Sequence, residues 1–376
     1  MNWIDWAQGQ TDAIHQLGRW RSPRVFNSHG PVGTLHDGRE VVSFASNDYL
    51  GLSQHPKVVA AAHAALDSYG AGSGSARLIV GARTIHEDLE AEIAQWKQCE
   101  SAVLFPTGFA ANLGVFSTFA DPHTLICSDE LNHASIIDGC RASKAEVRVF
   151  RHRDLQHLEE LLHTARGRRC IIVSDTVFSM DGDLADTAGL VQLADRHNAL
   201  LVFDEAHAVL GPHPDVSAVA HLRVGTMSKT LGALGGFVAG PQLLTDLIIN
   251  RARSYIFTTA ATPADTAAAL AALRVVRSAE GMQLTERLAS NVARVRSDHQ
   301  SPIIPVLLGA EDAALAAAQQ LLDLGLLVPA IRPPTVAPGT CRLRIAISAL
   351  HTNAQLDALS RALNDIDSLS SYGPHR

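Results

Sequence analysis

Apolar runs of strand length alternate with helix-period segments through the middle of the chain. The apolar runs lie at 102–105, 124–127, 147–150, 170–174, 199–203 and 235–239. Segments with the helical spacing of apolar residues lie between several of them, at 86–97, 109–119, 154–165 and 187–197. Strands that alternate with helices of this length are typical of crossover units, and buried parallel strands are continuously apolar. The pattern therefore predicts an α/β fold with a mostly parallel sheet.

The two ends of the chain have other patterns. Residues 2–18 predict one helix, and a loop-like stretch rich in Gly, Pro, Ser and His runs from Ser22 to Gly38. Beyond an Ala-rich helix at about 263–279, strands near 303–308, 327–331 and 342–347 mix with helices near 311–324 and 353–367. We therefore expect an N-terminal helix and arm (1–45), a large α/β domain (46–283) and a smaller C-terminal α+β domain (284–376).

Composition and charge narrow the classes of partner. The net charge is −7 and no long basic stretch is present, so we expect no nucleic-acid partner. No run reaches the roughly 18 apolar residues that span a membrane, and the N-terminus lacks signal-peptide features. The five cysteines are scattered without metal-type spacing, which favours a reducing cytoplasm and predicts no metal site.

Two charged residues lie where a ligand cleft is expected. Asp204 directly follows the apolar run 199–203, and ligands of open α/β sheets bind beyond the carboxyl ends of strands. Lys229 lies among small and hydroxyl residues in Gly225-Thr-Met-Ser-Lys-Thr, where a desolvated amine becomes nucleophilic toward a carbonyl. Pyridoxal-phosphate (PLP) catalysis needs such a lysine for the aldehyde and an acidic partner for the pyridine nitrogen. The pair therefore predicts a PLP site.

Three further segments follow strands and fit the same cleft. Thr107-Gly-Phe-Ala-Ala-Asn112 opens a helix, whose first backbone amides suit a phosphate. The segment 129–135 presents the imidazole of His133, and the segment 175–182 presents the hydroxyl of Ser179. Each of these signals is weak when taken alone, because a glycine at a strand–helix junction or a single histidine is common in proteins. Their occurrence after successive strands, together with Asp204 and Lys229, makes the prediction of a PLP site stronger than any one of them does.

Seven segments in this order resemble the α-oxoamine synthases, a branch of the fold-type I PLP-dependent transferases. They are Ser46-Asn-Asp-Tyr-Leu-Gly-Leu52, Gly72-Ser-Gly-Ser-Ala-Arg77 with Gly81, Thr107-Gly-Phe109, Asn132-His-Ala-Ser135, Phe178-Ser-Met-Asp-Gly182, Asp204-Glu-Ala-His207 and Thr226-Met-Ser-Lys229. The resemblance covers nearly the whole chain. It implies an acyltransferase that joins an amino acid to an acyl thioester with loss of carbon dioxide, and it implies a homodimer with shared active sites.

The resemblance also implies roles for individual residues. Lys229 would carry PLP and transfer the proton, Asp204 would pair with the pyridine nitrogen, and His133 would stack on the ring. His207 and Ser179 would contact the region of the phenolic oxygen. Phosphate contacts would come from the amides of Gly108 and Phe109, from Thr226, and from Thr258 or Thr259 of the neighbouring subunit.

The substrate side is implied by the stretch 330–344, with its Arg-Pro-Pro-Thr run followed by Pro-Gly-Thr. It resembles the family member that joins L-alanine to a pimeloyl thioester, carried by coenzyme A or by a carrier protein. Arg332 would hold the amino-acid carboxylate, with Asn47 nearby. Arg19 and Thr335 would face the acyl substrate, although Arg21 lies only two residues from Arg19.

Other readings remain open at this point. The same chemistry could use glycine or serine with another acyl thioester, and a different PLP reaction such as transamination is a second alternative. A catalytically dead subunit or a PLP-dependent regulator is a third, although Lys229 is present and no additional DNA-binding domain is seen. The segment Ala208–Asp215 is shorter and richer in proline than the family pattern, so it could alter access of the acyl donor.

Overall fold

The computed structural model describes residues 2–365. Its helices are α1 (Trp3–Gln16), α2 (Pro56–Tyr69), α3 (Thr84–Lys97), α4 (Gly108–Phe119), α5 (Ala134–Ala142), α6 (Leu155–Leu162), α7 (Thr187–Arg196), α8 (Gln242–Arg251), α9 (Arg253–Ile256), α10 (Pro263–Val276), α11 (Ala279–Val295), α12 (Glu311–Asp323) and α13 (Asn353–Asp365). Met1 and residues 366–376 lie outside the described part, and with them the last two residues of the helix predicted at 353–367.

The strands are β1 (Phe26–His29), β2 (Val32–Leu35), β3 (Glu40–Ser43), β4 (Ser101–Phe105), β5 (Thr124–Asp129), β6 (Glu146–Phe150), β7 (Arg169–Asp175), β8 (Leu200–Asp204), β9 (His221–Thr226), β10 (Gly236–Gly240), β11 (Ile303–Gly309), β12 (Leu326–Leu327), β13 (Ala330–Ile331) and β14 (Cys341–Ala346). Seven of these form the large sheet in the order β4-β10-β9-β8-β7-β5-β6. Only β10 runs against its neighbours, so the predicted α/β class with a mostly parallel sheet is confirmed.

Helices cover both faces of this sheet. Alternate side chains of the buried strands point to opposite faces, so Ile126 and Val173 pack with α4 and α5, whereas Leu125 and Ile172 pack with α6 and α7. The burial of both faces explains why most of these strands are continuously apolar in the sequence. Their carboxyl ends are left free for a site.

The N-terminal arm is more regular than its composition indicates. The stretch predicted as loop-like contains the hairpin β1–β2, which pairs on to β3. The two-residue strand β12, about 280 residues later in the chain, completes this sheet by pairing parallel with β3. The prediction of a loop was wrong, because the pairing partners that order the arm lie far away in the sequence.

The C-terminal region forms a small α+β unit. Its sheet has the order β11-β14-β13, and α12 packs on it. The boundary predicted between residues 283 and 284 falls inside α11, which contacts both α10 and α13. Among residues 2–365, no helix is long and apolar enough to cross a membrane.

Candidate active site

A cavity of about 240 Å³ lies at the carboxyl ends of the parallel strands of the large sheet. The predicted residues that line it are Gly108, Phe109, His133, Asp204, His207, Thr226 and Lys229. They come from the N-terminus of α4 and from the segments that follow β5, β8 and β9. Because parallel strands end on one side of a sheet, side chains distant in the sequence meet there.

The N-terminus of α4 offers an anion site in this cavity. The hydroxyl of Thr107 accepts a hydrogen bond from the amide of Ala110 at 3.0 Å, which leaves the earlier amides of Gly108 and Phe109 for a ligand. A Cβ atom on Gly108 would lie 3.2 Å from Cβ of Thr226. Thr226 and these amides therefore lie close together. The hydroxyl of Ser228 lies 2.7 Å from the hydroxyl of Thr226, and the sequence analysis did not predict Ser228 as a site residue.

Asp204 and His133 are joined through two polar side chains. The amide nitrogen of Asn112 donates to Oδ2 of Asp204 at 2.8 Å and to the hydroxyl of Ser135 at 2.9 Å. Nδ1 of His133 lies 2.8 Å from that hydroxyl and accepts the amide N–H of Ser135 at 3.2 Å. Because Nδ1 is an acceptor, a neutral His133 carries its proton on Nε2. Oδ1 of Asn112 is buried without a partner in the described structure.

A second hydrogen-bonded chain runs from Lys229 to the C-terminal unit. Nζ of Lys229 lies 2.8 Å from Nε2 of His207, and Nδ1 of His207 lies 2.6 Å from the hydroxyl of Tyr49. Tyr49 donates to Oδ1 of Asn47 at 3.1 Å, and Arg344 donates to the same oxygen at 3.1 Å. Since the Tyr49 hydroxyl donates its single proton to Asn47, its oxygen accepts a hydrogen bond from Nδ1–H of His207. Nε2 of His207 is then free to accept from the amine of Lys229.

Burial sets the protonation states of these groups. Desolvation lowers the pKa of the Lys229 amine, although Asp204 and Asp175 offset part of the effect. Desolvation and then the charge of Lys229 lower the pKa of His207 well below its usual value. Desolvation also lowers the pKa of His133, although the charge of Asp204 partly opposes it. Both imidazoles are thus neutral at pH 7, and the amine is more easily deprotonated than an exposed one.

Asp175 is a site residue that the sequence analysis missed. It ends β7 directly beside Asp204 in the parallel register, and its Oδ2 accepts the backbone N–H of His133 at 2.7 Å. Burial, followed by the neighbouring charge of Asp204, raises the pKa of its carboxyl well above the usual range. Its position directly after a predicted strand was the signal that could have found it, as for Asp204.

Several predicted residues lie outside this cavity. Arg21, Arg332 and Thr335 line a larger cavity of about 920 Å³ between the N-terminal arm and the C-terminal unit. Arg19 does not line it and instead pairs with Glu311. Arg332 donates to the backbone oxygens of Gly18 and Trp20.

Asn47 and Ser179 are both bound by the C-terminal unit through Arg344, which reaches the side chain of Asn47 and the carbonyl of Ser179. Thr258 is partly buried and Thr259 is exposed, and neither lines one of these two cavities. Sequence reasoning did not single out Tyr49 and Arg344, although both lie within segments quoted for the resemblance.

The short segment after His207 is fixed by a buried ion cluster. Oε2 of Glu205 lies 2.6 Å from Nζ of Lys97, and Oε1 lies 3.1 Å from Nη1 of Arg223. Arg223 also donates to the carbonyl of Pro214 at 2.6 Å. The segment 208–215 is therefore bonded to the core of the large domain through Pro214 and Arg223.

A histidine between two carboxylates holds the loop that carries Ser179. Nδ1 of His152 lies 2.8 Å from Asp129, and Nε2 lies 2.7 Å from Asp183. Asp183 is also 3.4 Å from Arg153. Burial alone would lower the pKa of His152, but the hydrogen bonds and charges of the two carboxylates outweigh it and raise the pKa to about 9. His152 is therefore a cation at neutral pH.

Because protonated His152 stabilises the fold, we expect the protein to lose stability at alkaline pH. The pKa of His152 is higher in the folded than in the unfolded chain, so its contribution is complete below pH 6.5 and is lost as the pH rises through about 9. We expect the free energy of unfolding of the wild type to fall on the order of 2 kcal/mol further between pH 7 and 10 than that of a His152→Asn variant. Denaturant titrations at both pH values measure it, and equal slopes for the two proteins would contradict the assignment.

The comparisons with known proteins agree with this site. The sequence pattern of the family "Aminotransferase class I and II" matches residues 39–363. The chain is 48% identical over 344 residues to 8-amino-7-oxononanoate synthase of Methylobacterium sp. (strain 4-46), covering 90% of each chain. It is 45% identical over 392 residues to 8-amino-7-oxononanoate synthase of Anaeromyxobacter dehalogenans, covering 99% of this chain and 98% of that protein. Serine palmitoyltransferase of S. paucimobilis, solved with bound PLP and myriocin, superimposes with a TM-score of 0.90 at 29% identity, covering 96% and 97% of the two chains.

The chain therefore belongs to the aminotransferase class I and II family, as a fold-type I PLP-dependent transferase. Within that family it is an α-oxoamine synthase, an enzyme of decarboxylative acyl condensation, so the resemblance seen in the sequence is confirmed. Its cofactor is PLP. The residues of the cavity fit this group, because they supply an amine of lowered pKa, a carboxylate, neutral imidazoles and a glycine-lined helix N-terminus beside a hydroxyl.

Proposed function

We propose that this enzyme condenses L-alanine with a pimeloyl thioester, releases carbon dioxide and forms 8-amino-7-oxononanoate, the reaction that opens biotin assembly. The convergence of Lys229, Asp204, His133 and His207 on one cavity carries the proposal, since these groups suit deprotonation next to an amine-bearing carbon. The substrate choice is supported by relatives that match most of the chain at 45% and 48% identity, both of which are 8-amino-7-oxononanoate synthases.

We assign the cofactor contacts as follows. Lys229 would hold the aldehyde carbon of PLP, Asp204 would pair with the pyridine nitrogen, and His133 would contact the ring. The amides of Gly108 and Phe109 and the hydroxyl of Thr226 would hold the phosphate, and His207 and Ser179 would bind near the phenolic oxygen. When bound, PLP delocalises the electron pair left on the α-carbon of the amino acid.

The protein side chains perform the proton transfers. The amine of Lys229 is held by the lone pair of His207 Nε2 and has a lowered pKa, so it can take the α-proton of L-alanine and later return it. Nε2–H of neutral His133 is a donor for a carboxylate of the reacting acid. Asp175 fixes His133 through its backbone N–H, and Asn112 and Ser135 connect His133 to Asp204.

We propose that Arg344, with Asn47, binds the amino-acid carboxylate. Arg344 is buried and belongs to the chain of bonds that reaches Lys229, and its charge contributes to the lowered pKa of that amine. Arg332, to which the sequence analysis gave this role, lines the larger cavity and is bonded to two backbone oxygens. We place the acyl thioester in that larger cavity, with Arg21 rather than the paired Arg19, and with Thr335 and Arg332.

Kinetics of two matched variants separate these assignments. Arg344→Lys keeps the charge but loses the planar pair of donors, so we expect the KM for L-alanine to rise about 10- to 100-fold. Arg332→Lys is expected to change mainly the KM for the acyl thioester. Initial rates with each substrate varied in turn provide the measurement, and a larger effect of Arg332→Lys on the KM for L-alanine would restore the original assignment.

We also propose a cytoplasmic homodimer with shared active sites. Leu78, Ile79, Val80 and Phe257 are 49–75% exposed, although they are large and apolar. The bond between the amide of Ala260 and the carbonyl of Ser75 keeps the two segments together. A second subunit would cover this surface and bring Thr258 or Thr259 to the neighbouring cofactor phosphate. All five cysteines are free thiols, which suits a reducing compartment.

Product analysis tests the proposed reaction. Purified holoenzyme is incubated with a pimeloyl thioester of coenzyme A or of a carrier protein, and with L-alanine, glycine or serine. We expect carbon dioxide and a ketone that retains the amine, with L-alanine at least about tenfold faster than the other amino acids. Faster turnover of glycine or serine would support another α-oxoamine synthase, and a keto acid formed by loss of the amine would identify a transaminase. The better thioester identifies the donor.

A further inference from the structure

A cluster of possible metal ligands lies apart from both cavities described above. Glu159 lies on α6, His163 directly follows that helix and is four residues after Glu159, and His197 directly follows α7. The possible ligand atoms of these three side chains all lie within 4.8 Å of one another. Two imidazoles and one carboxylate form the type of ligand set that binds zinc with a water in the fourth position.

His197 gives the strongest indication of a ligand. Its side chain is only 14% exposed, and its Nε2 is buried without a hydrogen-bond partner in the described structure. This nitrogen faces Oε1 of Glu159 at 3.9 Å, which is too long for a hydrogen bond. An unpartnered buried nitrogen is unfavourable, and an ion between it and the carboxylate would satisfy the nitrogen.

The separation of His197 and Glu159 is close to that of two ligand atoms on a zinc ion. With zinc–ligand distances of about 2.1 Å, ligand atoms on a tetrahedral ion lie about 3.4 Å apart. The 3.9 Å separation of His197 and Glu159 therefore needs only a small contraction. The rings of His163 and His197 meet edge to face with centroids 5.0 Å apart, and His163 is exposed and free to rotate toward the other two.

The local charges are compatible with a divalent ion. Glu159 accepts a hydrogen bond from Arg196, whose side chain is 58% exposed and can turn toward solvent when a metal arrives. Only Arg196 competes directly for the carboxylate in the contacts described for this cluster.

We propose that Glu159, His163 and His197 form a binding site for a divalent transition-metal ion, with zinc as the ion best suited to the ligand set. The ion would join the end of α6 to the end of α7 on one side of the large sheet. The site is independent of PLP and of the condensation reaction, and its expected effect is on the stability of the large domain.

Isothermal titration of the holoenzyme with Zn²⁺, after removal of free PLP, tests the proposal. We expect one site per chain with a Kd of about 10 µM or tighter, and a weakening of at least about tenfold in His163→Ala and in His197→Ala. His123→Ala, which removes an exposed histidine elsewhere on the domain, is the matched control and should bind as the wild type does. Full condensation activity of the variants shows that they are folded.

Thermal unfolding gives a second readout. Zinc is expected to raise the Tm of the wild type and of His123→Ala, but not that of His197→Ala. A Kd weaker than about 10 µM for the wild type, or equal affinity in the wild type and both ligand variants, would overturn the proposal.

Discussion

Replacing Lys229 with alanine is expected to lower the rate of condensation by at least about a thousandfold. The amine of Lys229 is the nitrogen held by His207 at the cavity, and burial gives it the lowered pKa that a base at neutral pH needs. Alanine supplies neither a nucleophile nor a base. His207 cannot replace it, because Nδ1 of His207 is bonded to Tyr49 and the pKa of its imidazole is well below the usual value.

The measurement combines initial rates with the visible absorption of protein-linked PLP. Both are expected to be lost in Lys229→Ala, whereas Lys144→Ala, which removes an exposed lysine of α5's C-terminal loop, should retain both. The far-ultraviolet circular dichroism of the two variants should match the wild type, since the Lys229 side chain has a single hydrogen bond, to His207, among the described contacts. A Lys229→Ala enzyme with a tenth or more of the wild-type rate would show that another group moves the proton.

Replacing Asp204 with asparagine is the second change with a large expected effect, at least about a hundredfold in kcat. The side chain keeps its shape, and its oxygen can still accept from the amide of Asn112 or of Ala206. The lost property is the negative charge beside the pyridine nitrogen, which favours its protonated form. The removal of this charge also lowers the pKa of the Lys229 amine further, because Asp204 raises it in the wild type.

The pH dependence of kcat/KM distinguishes this electrostatic effect from misfolding. In Asp204→Asn we expect the rise of kcat/KM that accompanies deprotonation of Lys229 to occur at lower pH than in the wild type. The Tm is expected to change little. Asp67→Asn on the exposed surface of α2 is the matched control and should leave both the rate and the profile unchanged. A profile that stays in place while the rate falls would argue against the direct influence of Asp204 on the lysine.

The large sheet was predictable because each buried strand is a continuous apolar run. The exception is β9, which the sequence pattern did not predict. Arg223 interrupts its apolar run and yet is buried, since Glu205 at 3.1 Å and the carbonyl of Pro214 bind its guanidinium. A buried ion pair makes a core strand look polar in the sequence, and only the folded arrangement shows that the charge is compensated.

The candidate site was predictable where its residues follow strands of one sheet. Asp204 and His133 belong to this group, because parallel strands bring their carboxyl ends to one edge. Lys229 follows the unpredicted strand β9 and was found instead from its small and hydroxyl neighbours. Tyr49 and Arg344 could not be placed in this way. Tyr49 meets His207 across 158 residues of the chain, and Arg344 meets Asn47 across 297 residues. Contacts of that range depend on how separate units pack.

The hydrogen-bonded chain from Lys229 to Arg344 links the large domain to the C-terminal unit, so the large domain alone does not contain the whole active site. Burial is the main cause of the lowered pKa of the Lys229 amine, and the guanidinium of Arg344 in β14, outside the large domain, adds to it. The N-terminal arm depends on the same region, since β12 completes its sheet. A fragment that kept only the large sheet would retain the lysine and its neighbours but not the electrostatic setting of the lysine. The active site therefore requires the N-terminal arm, the large sheet and the C-terminal unit together in one chain.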